Sequence, residues 1–523
     1  MDMSPCARAG GFARRIAACA VVLVAAVAGG APTTRADQPP RVRSRWEGET
    51  IYHIFPRSYR DSDGDRIGDF RGIAAALATI DSLGCTAILL APVVEARVYH
   101  NYFADDFFAV DPSFGSLDDF RMMVREAHGR GLKVILDMEP QYVADGHPWL
   151  RPATAGTASP FADYLWRGGP LYGDSFVWYD RRHIGISPVN LHNAEVRASV
   201  GRVFRFWAEQ GVDGFRIDHM MDDLDRQGVQ TGLLASLWDP LERDLRRDYP
   251  RVFFVGEQGD WGTGRDILRG TATDAVFAFQ LMGALRTLDK AQIEAAMREM
   301  AAATPAGKTQ LTFLENHDID RFASVEPDAR KQRLAAALLF TLKGTPSIYY
   351  GQELGMRGRI GTWGGDGNHI PVRLAYRWTR TLDGPGTATW YRDTGPWWSP
   401  TWSSDGDGIS LEEEARDPES LLRVYRRLGQ LRRATPALRI GSQAIMPVTS
   451  PHVLAFERRE GSSRVVIVAN LGGADETTVV PGTGRMHDLW SRADYVAGQP
   501  VALGPYGFRI LEASARRMAG ARQ

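Results

Sequence analysis

Three scarcities bound this chain before any motif is read. It holds only 3 cysteines in 523 residues, at positions 6, 19 and 85, too few for a disulfide framework. Neither charge is in excess: 62 Lys and Arg against 63 Asp and Glu leave a formal net charge of −1. No global field therefore draws the chain to nucleic acid or to an anionic membrane surface, and its partners are expected to be neutral or small. Long apolar runs are missing beyond the first 36 residues, which leaves no candidate for an internal membrane-spanning helix. No internal repeat is present.

What remains is ordinary in bulk: 44% hydrophobic and 24% charged residues, as in a soluble globular protein. The length suggests two or three domains, one of them a large α/β barrel. At the N-terminus, Arg14-Arg15, the apolar run 16–31 and the small-residue site Thr34-Arg35-Ala36 predict a signal peptide over residues 1–36. Export to the periplasm or the medium follows from that reading. Cleavage would leave Cys85 as the single cysteine, so no intramolecular disulfide is expected.

The most informative stretch is Val212-Asp213-Gly214-Phe215-Arg216-Ile217-Asp218-His219. Apolar residues at 212, 215 and 217 mark a short buried strand, and period-2 spacing turns Arg216 and Asp218 to one side. Opposite charges at the end of an apolar strand are costly to bury unpaired, so they form a structural ion pair or line a polar cavity. Further strand-like runs fall at 51–55, 86–90, 133–137, 251–257, 274–277, 311–316 and 346–350, with helical periodicity between them. Eight strands alternating with helices predict a closed parallel (β/α)8 barrel.

The interval between the third and fourth strands exceeds what one crossover helix needs. Residues 138–193, rich in Gly, Pro and aromatics such as Trp149, Trp166 and Trp178, are therefore expected to form an inserted irregular domain. The barrel then comprises 37–137 and 194–440. From 441 to 512, short alternating runs predict an antiparallel β-sandwich domain, and 513–523 a frayed tail. Six tryptophans, at 363, 378, 390, 397, 398 and 402, crowd the loop after strand eight. They would form that loop's own core, with one or two reaching substrate.

Barrel enzymes place their chemistry where strands run into loops, so Asp218, Glu257 and Asp318 should converge beyond strands four, five and seven. Two carboxylates with differently tuned pKa values are what glycosidic bond cleavage requires, and a nearby arginine favours the ionised form of one of them. Gly214-Phe215-Arg216-Ile217-Asp218, Val255-Gly256-Glu257 and Phe313-Leu314-Glu315-Asn316-His317-Asp318 together resemble the ordered signature motifs of the α-amylase family, glycoside hydrolase family 13. The stretches from His100-Asn101-Tyr102 to Asp111-Pro112, from Gly344 to Gly351 and from Ile51 to Asp69 fit the same pattern. The resemblance spans about residues 46 to 512.

That resemblance implies retaining cleavage of α-glucosidic bonds, with Asp218 as nucleophile and Glu257 as proton donor and then base. Asp318 would bind sugar hydroxyls beside His317, Arg216 would orient Asp218, and Tyr102 would stack under the sugar. Retention calls for nucleophile and acid about 5–5.5 Å apart. The chain departs from the family pattern after Asp137, where Gln141 and Tyr142 stand in place of Asn and His, and at Pro188, where Asp is usual. It also lacks the Lys-His pair after the nucleophile. These changes bear on substrate more than on reaction.

A separate acidic run, Asp61-Ser62-Asp63-Gly64-Asp65-Arg66-Ile67-Gly68-Asp69, sets carboxylates at alternate positions with the Ile67 carbonyl between them. Hard oxygen ligands so spaced suit Ca2+, or Mg2+; the plain alternative is a solvated acidic turn. Arg66 and Gly72 stand where an EF-hand needs Gly and Glu, so the loop is no EF-hand. It is similar to the first-loop metal site of oligo-glucosidase and trehalose-synthase-like members, and the ion would be structural. The expected activity is an exported retaining hydrolase of α-glucans or malto-oligosaccharides. A transglycosylase, a trehalose-synthase-like isomerase and a sugar-binding relative without turnover are the alternatives.

Overall fold

Alternate residues of eight short strands sort into two hydrophobic populations, and that sorting builds the barrel. The strands are β1 (Ile51–Ile54), β2 (Ala87–Leu90), β3 (Lys133–Met138), β4 (Gly214–Ile217), β5 (Phe253–Gly256), β6 (Ala275–Phe277), β7 (Thr309–Thr312) and β8 (Thr345–Tyr349). Each pairs in parallel with its neighbours in sequence, and β1 pairs with β8 to close the ring. Ile51, Leu89, Ile135, Val255, Ala275 and Leu311 fill an inner cluster. The residues between them, including Tyr52, Ile88, Val134, Leu136, Phe215, Ile217 and Phe254, pack outward in the cluster shared with the helices. By the same parity Asp137, Arg216 and Glu257 belong to the inner series, at the C-terminal ends of their strands.

The computed structural model describes residues 46–150, 160–166, 176–177, 183–226, 228, 230–482 and 484–513. The predicted signal peptide, Trp178 and all but the first residue of the predicted tail lie outside them. Among the described residues no helix is long and apolar enough to cross a membrane. Helices begin where local chemistry satisfies their first N–H groups. Asp69 caps α1 (Phe70–Ser82) by accepting from the Gly72 N–H. Ser116 and Asp119 form a reciprocal capping box on α2 (Leu117–Gly129), and Asn193 caps α3 (Ala194–Glu209). Such caps contribute about 1 kcal/mol each, and the apolar faces of the helices, such as Ile73, Leu77 and Ile80, do the rest by burial.

Strand seven is shorter than its sequence predicts. It stops at Thr312 because the Glu315 carboxylate accepts from Arg321 Nη1 at 2.9 Å and from the Phe322 N–H at 2.5 Å. This curls the chain back, so Asp318 rides on a closed loop six residues past the strand. In the inserted segment Tyr142–Ala144 pairs with Ile186–Pro188, and Phe176–Val177 with His183–Ile184, both antiparallel.

Beyond the barrel lie β9 (Ser442–Ile445), β10 (Val453–Glu460), β11 (Ser463–Asn470), β12 (Glu476–Val479), β13 (Arg485–Asp488), β14 (Asp494–Val496), β15 (Pro500–Leu503) and β16 (Phe508–Ala513). Six of them form one antiparallel sheet, in the order β9-β10-β11-β16-β13-β14, and β12 pairs with β15. Strand β11 is buried on both faces. Val465, Ile467 and Ala469 join the main core, while Val466 and Val468 pack in a second cluster with Val501 and Leu503.

Of the six tryptophans after strand eight, Trp378, Trp390 and Trp397 are buried. Their indole N–H groups donate to Tyr59 O, Ser58 Oγ and Thr394 Oγ1 at 2.7, 2.8 and 3.0 Å. They serve as the loop's own core, and Trp363 is the one of the six that is exposed.

Candidate active site

Arg216, 1% exposed, stands at the centre of the barrel mouth. Its Nη1 reaches both oxygens of Asp137 at 2.8 and 2.9 Å and also touches Asp218 Oδ1, while Nη2 meets Glu257 Oε1 at 2.7 Å. Strand register makes this possible, since Arg216 sits opposite Asp137 on one side and Val255 on the other. Asp218 and Glu257 follow directly on β4 and β5, and their carboxyl groups are in hydrogen-bond contact with each other.

Three buried carboxylates around one guanidinium leave an excess of negative charge that a dry site does not tolerate, so their proton affinities separate. Burial pushes Glu257 well above the usual carboxylate range, and the charges of Asp218 and Asp318 add to that. Burial likewise raises Asp137 to about 6 against the pull of Arg216. For Asp218 burial acts upward too, but Arg216, then His219 and the hydrogen bond from Glu257 outweigh it and bring the carboxyl down to about 2. The site therefore presents an ionised Asp218 beside a Glu257 that retains its proton.

Asp318 completes the ring from the loop after β7. His317 Nε2 lies 2.9 Å from its Oδ2, and Arg373 Nη2 donates to its Oδ1 at 2.8 Å. Burial works upward, but His317, Arg373 and His369 hold Asp318 well below the usual range. Arg373, at the end of the 3-10 segment Asp366–Arg373, also donates to His317 O and Tyr99 Oη at 2.9 and 2.8 Å. Tyr102 Oη donates to Asp137 Oδ2 at 2.8 Å and lies 2.6 Å from His317 Nε2, with its ring stacked near that imidazole. Asn101, with φ of 60°, anchors this segment by donating to Val94 O and Asp111 Oδ2.

At the junction with the inserted segment, Gln141 Nε2 donates to Asp218 O at 2.5 Å and approaches His219 O at 3.4 Å. The side chain that replaces the family Asn thus ties down the backbone of the acid itself. Tyr142, in the place of the family His, is 1% exposed and lies in the small sheet rather than in the open cleft. Glu139, Asp218 and His219 bring ligand atoms within 4.8 Å of one another, an arrangement that could hold a cation.

In the first barrel loop, Asp61, Asp63 and Asp69 bring carboxylate oxygens within 4.8 Å of one another and could do the same. Asp65 lies outside that 4.8 Å group, and its Oδ1 accepts from the Ile67 N–H at 2.7 Å, which closes the turn. Asp61 accepts from the N–H groups of Asp63, Gly64 and Arg66. Arg66 has φ of 73°, so the position that holds Gly in an EF-hand is left-handed here as well.

All six residues expected at the barrel mouth, Asp218, Glu257, Asp318, Tyr102, Arg216 and His317, are brought together. Sequence reasoning missed Asp137 as a partner of Arg216, although its place at the end of a predicted strand was a usable signal. It missed Arg373 entirely, because a lone arginine in a long loop carries no periodic signal. His53, buried edge-on to His317 with ring centroids 5.2 Å apart, belongs to the inner parity of β1 and was equally overlooked.

The family model of the alpha-amylase catalytic domain matches residues 53–441. The chain is 28% identical over 490 residues to alpha-amylase 3 of Dictyoglomus thermophilum, covering 89% of this chain and 93% of that protein. It is 29% identical over 518 residues to a probable alpha-glucosidase of Rhizobium meliloti, covering 84% and 91%. A crystal structure of an alpha-amylase from H. orenii matches with a TM-score of 0.74 at 26% identity, covering 90% of this chain and 100% of that one.

Proposed function

Because the chain belongs to the α-amylase family, as an enzyme of the α-amylase or α-glucosidase type that acts on α-glucans, we propose that it hydrolyses α-glucosidic bonds in α-glucans or malto-oligosaccharides with retention of configuration. The observation that carries this reading is the shared guanidinium. Arg216 touches both Asp218 and Glu257, and their carboxyl groups are in hydrogen-bond contact, which supports a close pair of the retaining kind rather than the roughly 6.5–9.5 Å that leaves room for a water.

In the first step the ionised Asp218 attacks the anomeric carbon while Glu257 gives its proton to the departing oxygen, so that a β-glucosyl ester forms as the glycosidic bond breaks. In the second, Glu257 takes a proton from water, the water oxygen attacks the same carbon, and Asp218 leaves as carboxylate. Asp318, locked by His317 and Arg373, is positioned to accept hydrogen bonds from sugar hydroxyls that strengthen as charge builds on the ring. Interception of the ester by a sugar instead of water would give the transglycosylase or isomerase outcome.

Asp61, Asp63 and Asp69, with Asp65 and the Ile67 carbonyl completing the set, would hold Ca2+ or Mg2+ as a structural ion, and the donors fit: hard oxygens, close in sequence and otherwise mutually repelling. Export rests on the Arg14-Arg15 pair, the apolar run after it and the small-residue site at 34–36. Incubation with maltoheptaose, with products resolved by chromatography, tests the activity. Shorter sugars of α configuration are expected; rearranged or elongated sugars alone would turn the assignment to transfer, and unchanged substrate would end it.

A further inference from the structure

Away from the barrel mouth, the helix α4 (Leu421–Ala434), the turn between β13 and β14, and β16 border an open surface hollow of about 670 Å3 lined by Arg427, Trp490, Ser491, Arg492 and Arg509. Three guanidinium groups from three separate elements share this space. Their charge is poorly answered. Arg509 is the best satisfied: its Nε lies 3.8 Å from the buried Asp488 and donates to Tyr495 Oη at 3.0 Å, while Nη1 and Nη2 donate to Phe508 O and Ala502 O at 2.9 and 3.3 Å. The same Asp488 already accepts from the N–H groups of Trp490 and Ile510 and from Ser491 Oγ. Among the described residues, neither Arg427 nor Arg492 has a carboxylate at ion-pair distance. Arg427 is fixed by donating to Trp490 O and by stacking 4.2 Å from the centre of its ring. Burial, and next the charge of Arg492, push the Arg427 guanidinium down, so the hollow already feels its surplus of positive charge.

The lining selects against a neutral sugar. Arg427 covers one approach to the Trp490 ring and Phe508 packs against it at 5.1 Å, so the indole is engaged by the protein itself rather than offered as a stacking platform. What is left unsatisfied is charge. Guanidinium groups that converge from different elements match a tetrahedral oxyanion, which accepts charge-assisted bonds from several directions.

We propose that this hollow is a binding site for a phosphate group, held between Arg427 and Arg492 at the junction of α4 with the C-terminal sheet. The source is inorganic phosphate or a phosphate ester, and the volume accommodates the organic part of a sugar phosphate. Because the site joins two structural layers, an occupant clamps them together and stabilises the fold by binding only the native state.

The full chain is titrated calorimetrically, and its thermal midpoint followed, with inorganic phosphate, glucose 6-phosphate, glucose, and sodium chloride at matched ionic strength. Phosphate is expected to raise the midpoint beyond the chloride control, with a dissociation constant on the order of 1 mM. Arg492→Gln, an exposed residue without an ion-pair partner, should weaken that binding at least tenfold and leave maltoheptaose turnover unchanged. Arg427→Gln should do the same with some loss of packing on Trp490. Tighter binding of glucose 6-phosphate than of phosphate identifies an ester as the ligand; equal binding identifies the free ion. A phosphate effect no larger than that of chloride, or one that survives both substitutions, overturns the proposal.

Discussion

Around Arg216 the carboxylates of Asp137, Asp218 and Glu257 are buried and converge on one cation, whereas in the first barrel loop Asp63 and Asp65 stand exposed and the acids there accept backbone N–H groups. The two clusters hold similar numbers of acids, one at the strand ends themselves and the other in the loop beyond β1. They differ in what answers the charge. Where water is excluded, a fixed guanidinium is needed and the remaining repulsion is settled by keeping protons, so the acids become chemically unequal. In the loop, solvent exposure and backbone N–H dipoles answer the charge, and the acids there could hold a cation.

The most disruptive way to probe the contrast is to remove the inequality. Glu257→Gln keeps the shape but has no proton to give; kcat/KM on maltoheptaose should fall about 10³–10⁴-fold, and far less on a substrate whose leaving group needs no protonation. The same variant should be more stable than the parent at neutral pH. Glu257 is raised in the fold, so the folded state binds its proton more tightly than the unfolded chain, and stability declines as pH rises from the ordinary glutamate range toward the raised value. Thermal midpoints of both proteins from pH 4 to 8 check this, and parallel profiles would remove Glu257 as the titrating group.

Arg216→Lys comes next. It cannot serve three carboxylates at once, and a drop of roughly 100-fold in turnover is expected, with the acid limb of the pH–rate profile moved up because Asp218 loses its strongest stabiliser. For stability the sign is opposite to that of Glu257. Asp218, held down to about 2, stabilises the fold above the ordinary aspartate value, and that contribution fades as pH falls through about 2. An unmoved acid limb in the variant would deny Arg216 its role.

Arg373→Ala should release Asp318 and His317 together, raising KM more than it lowers kcat, about tenfold in kcat/KM. The smallest effect belongs to the exposed cluster. Chelation, or Asp63→Asn, should lower the thermal midpoint by about 2–4 °C and spare kcat at temperatures below unfolding, with Ca2+ restoring the parent but not the variant. A chelator that abolishes turnover of folded protein would instead put a cation at the catalytic cluster.

Period-2 parity explains why so much of the barrel mouth is legible in the residues. Once 215 and 217 are read as facing the helices, 216 and 218 must face inward, and the same count places Glu257. Parity fails wherever the chain leaves its strands. The seventh strand reads as running to Asn316, yet the ion pair of Glu315 with Arg321 turns it aside after Thr312, and no periodicity announces a contact across a loop. Arg373 is invisible for the same reason, since its three partners come from loops distant in sequence. The tryptophans carry a composition signal but no direction, and three of them turn inward to hold the backbone around Tyr59 and Thr394.

The bond from Gln141 to the carbonyl of Asp218 ties the entrance of the inserted segment to the backbone of the proposed nucleophile. A chimera that swaps this insertion for a relative's would need to retain residues 137–142 of this chain. A graft joined after strand three without them would release the Asp218 peptide, and loss of activity in such hybrids would report a displaced Asp218 rather than an unsuitable insertion.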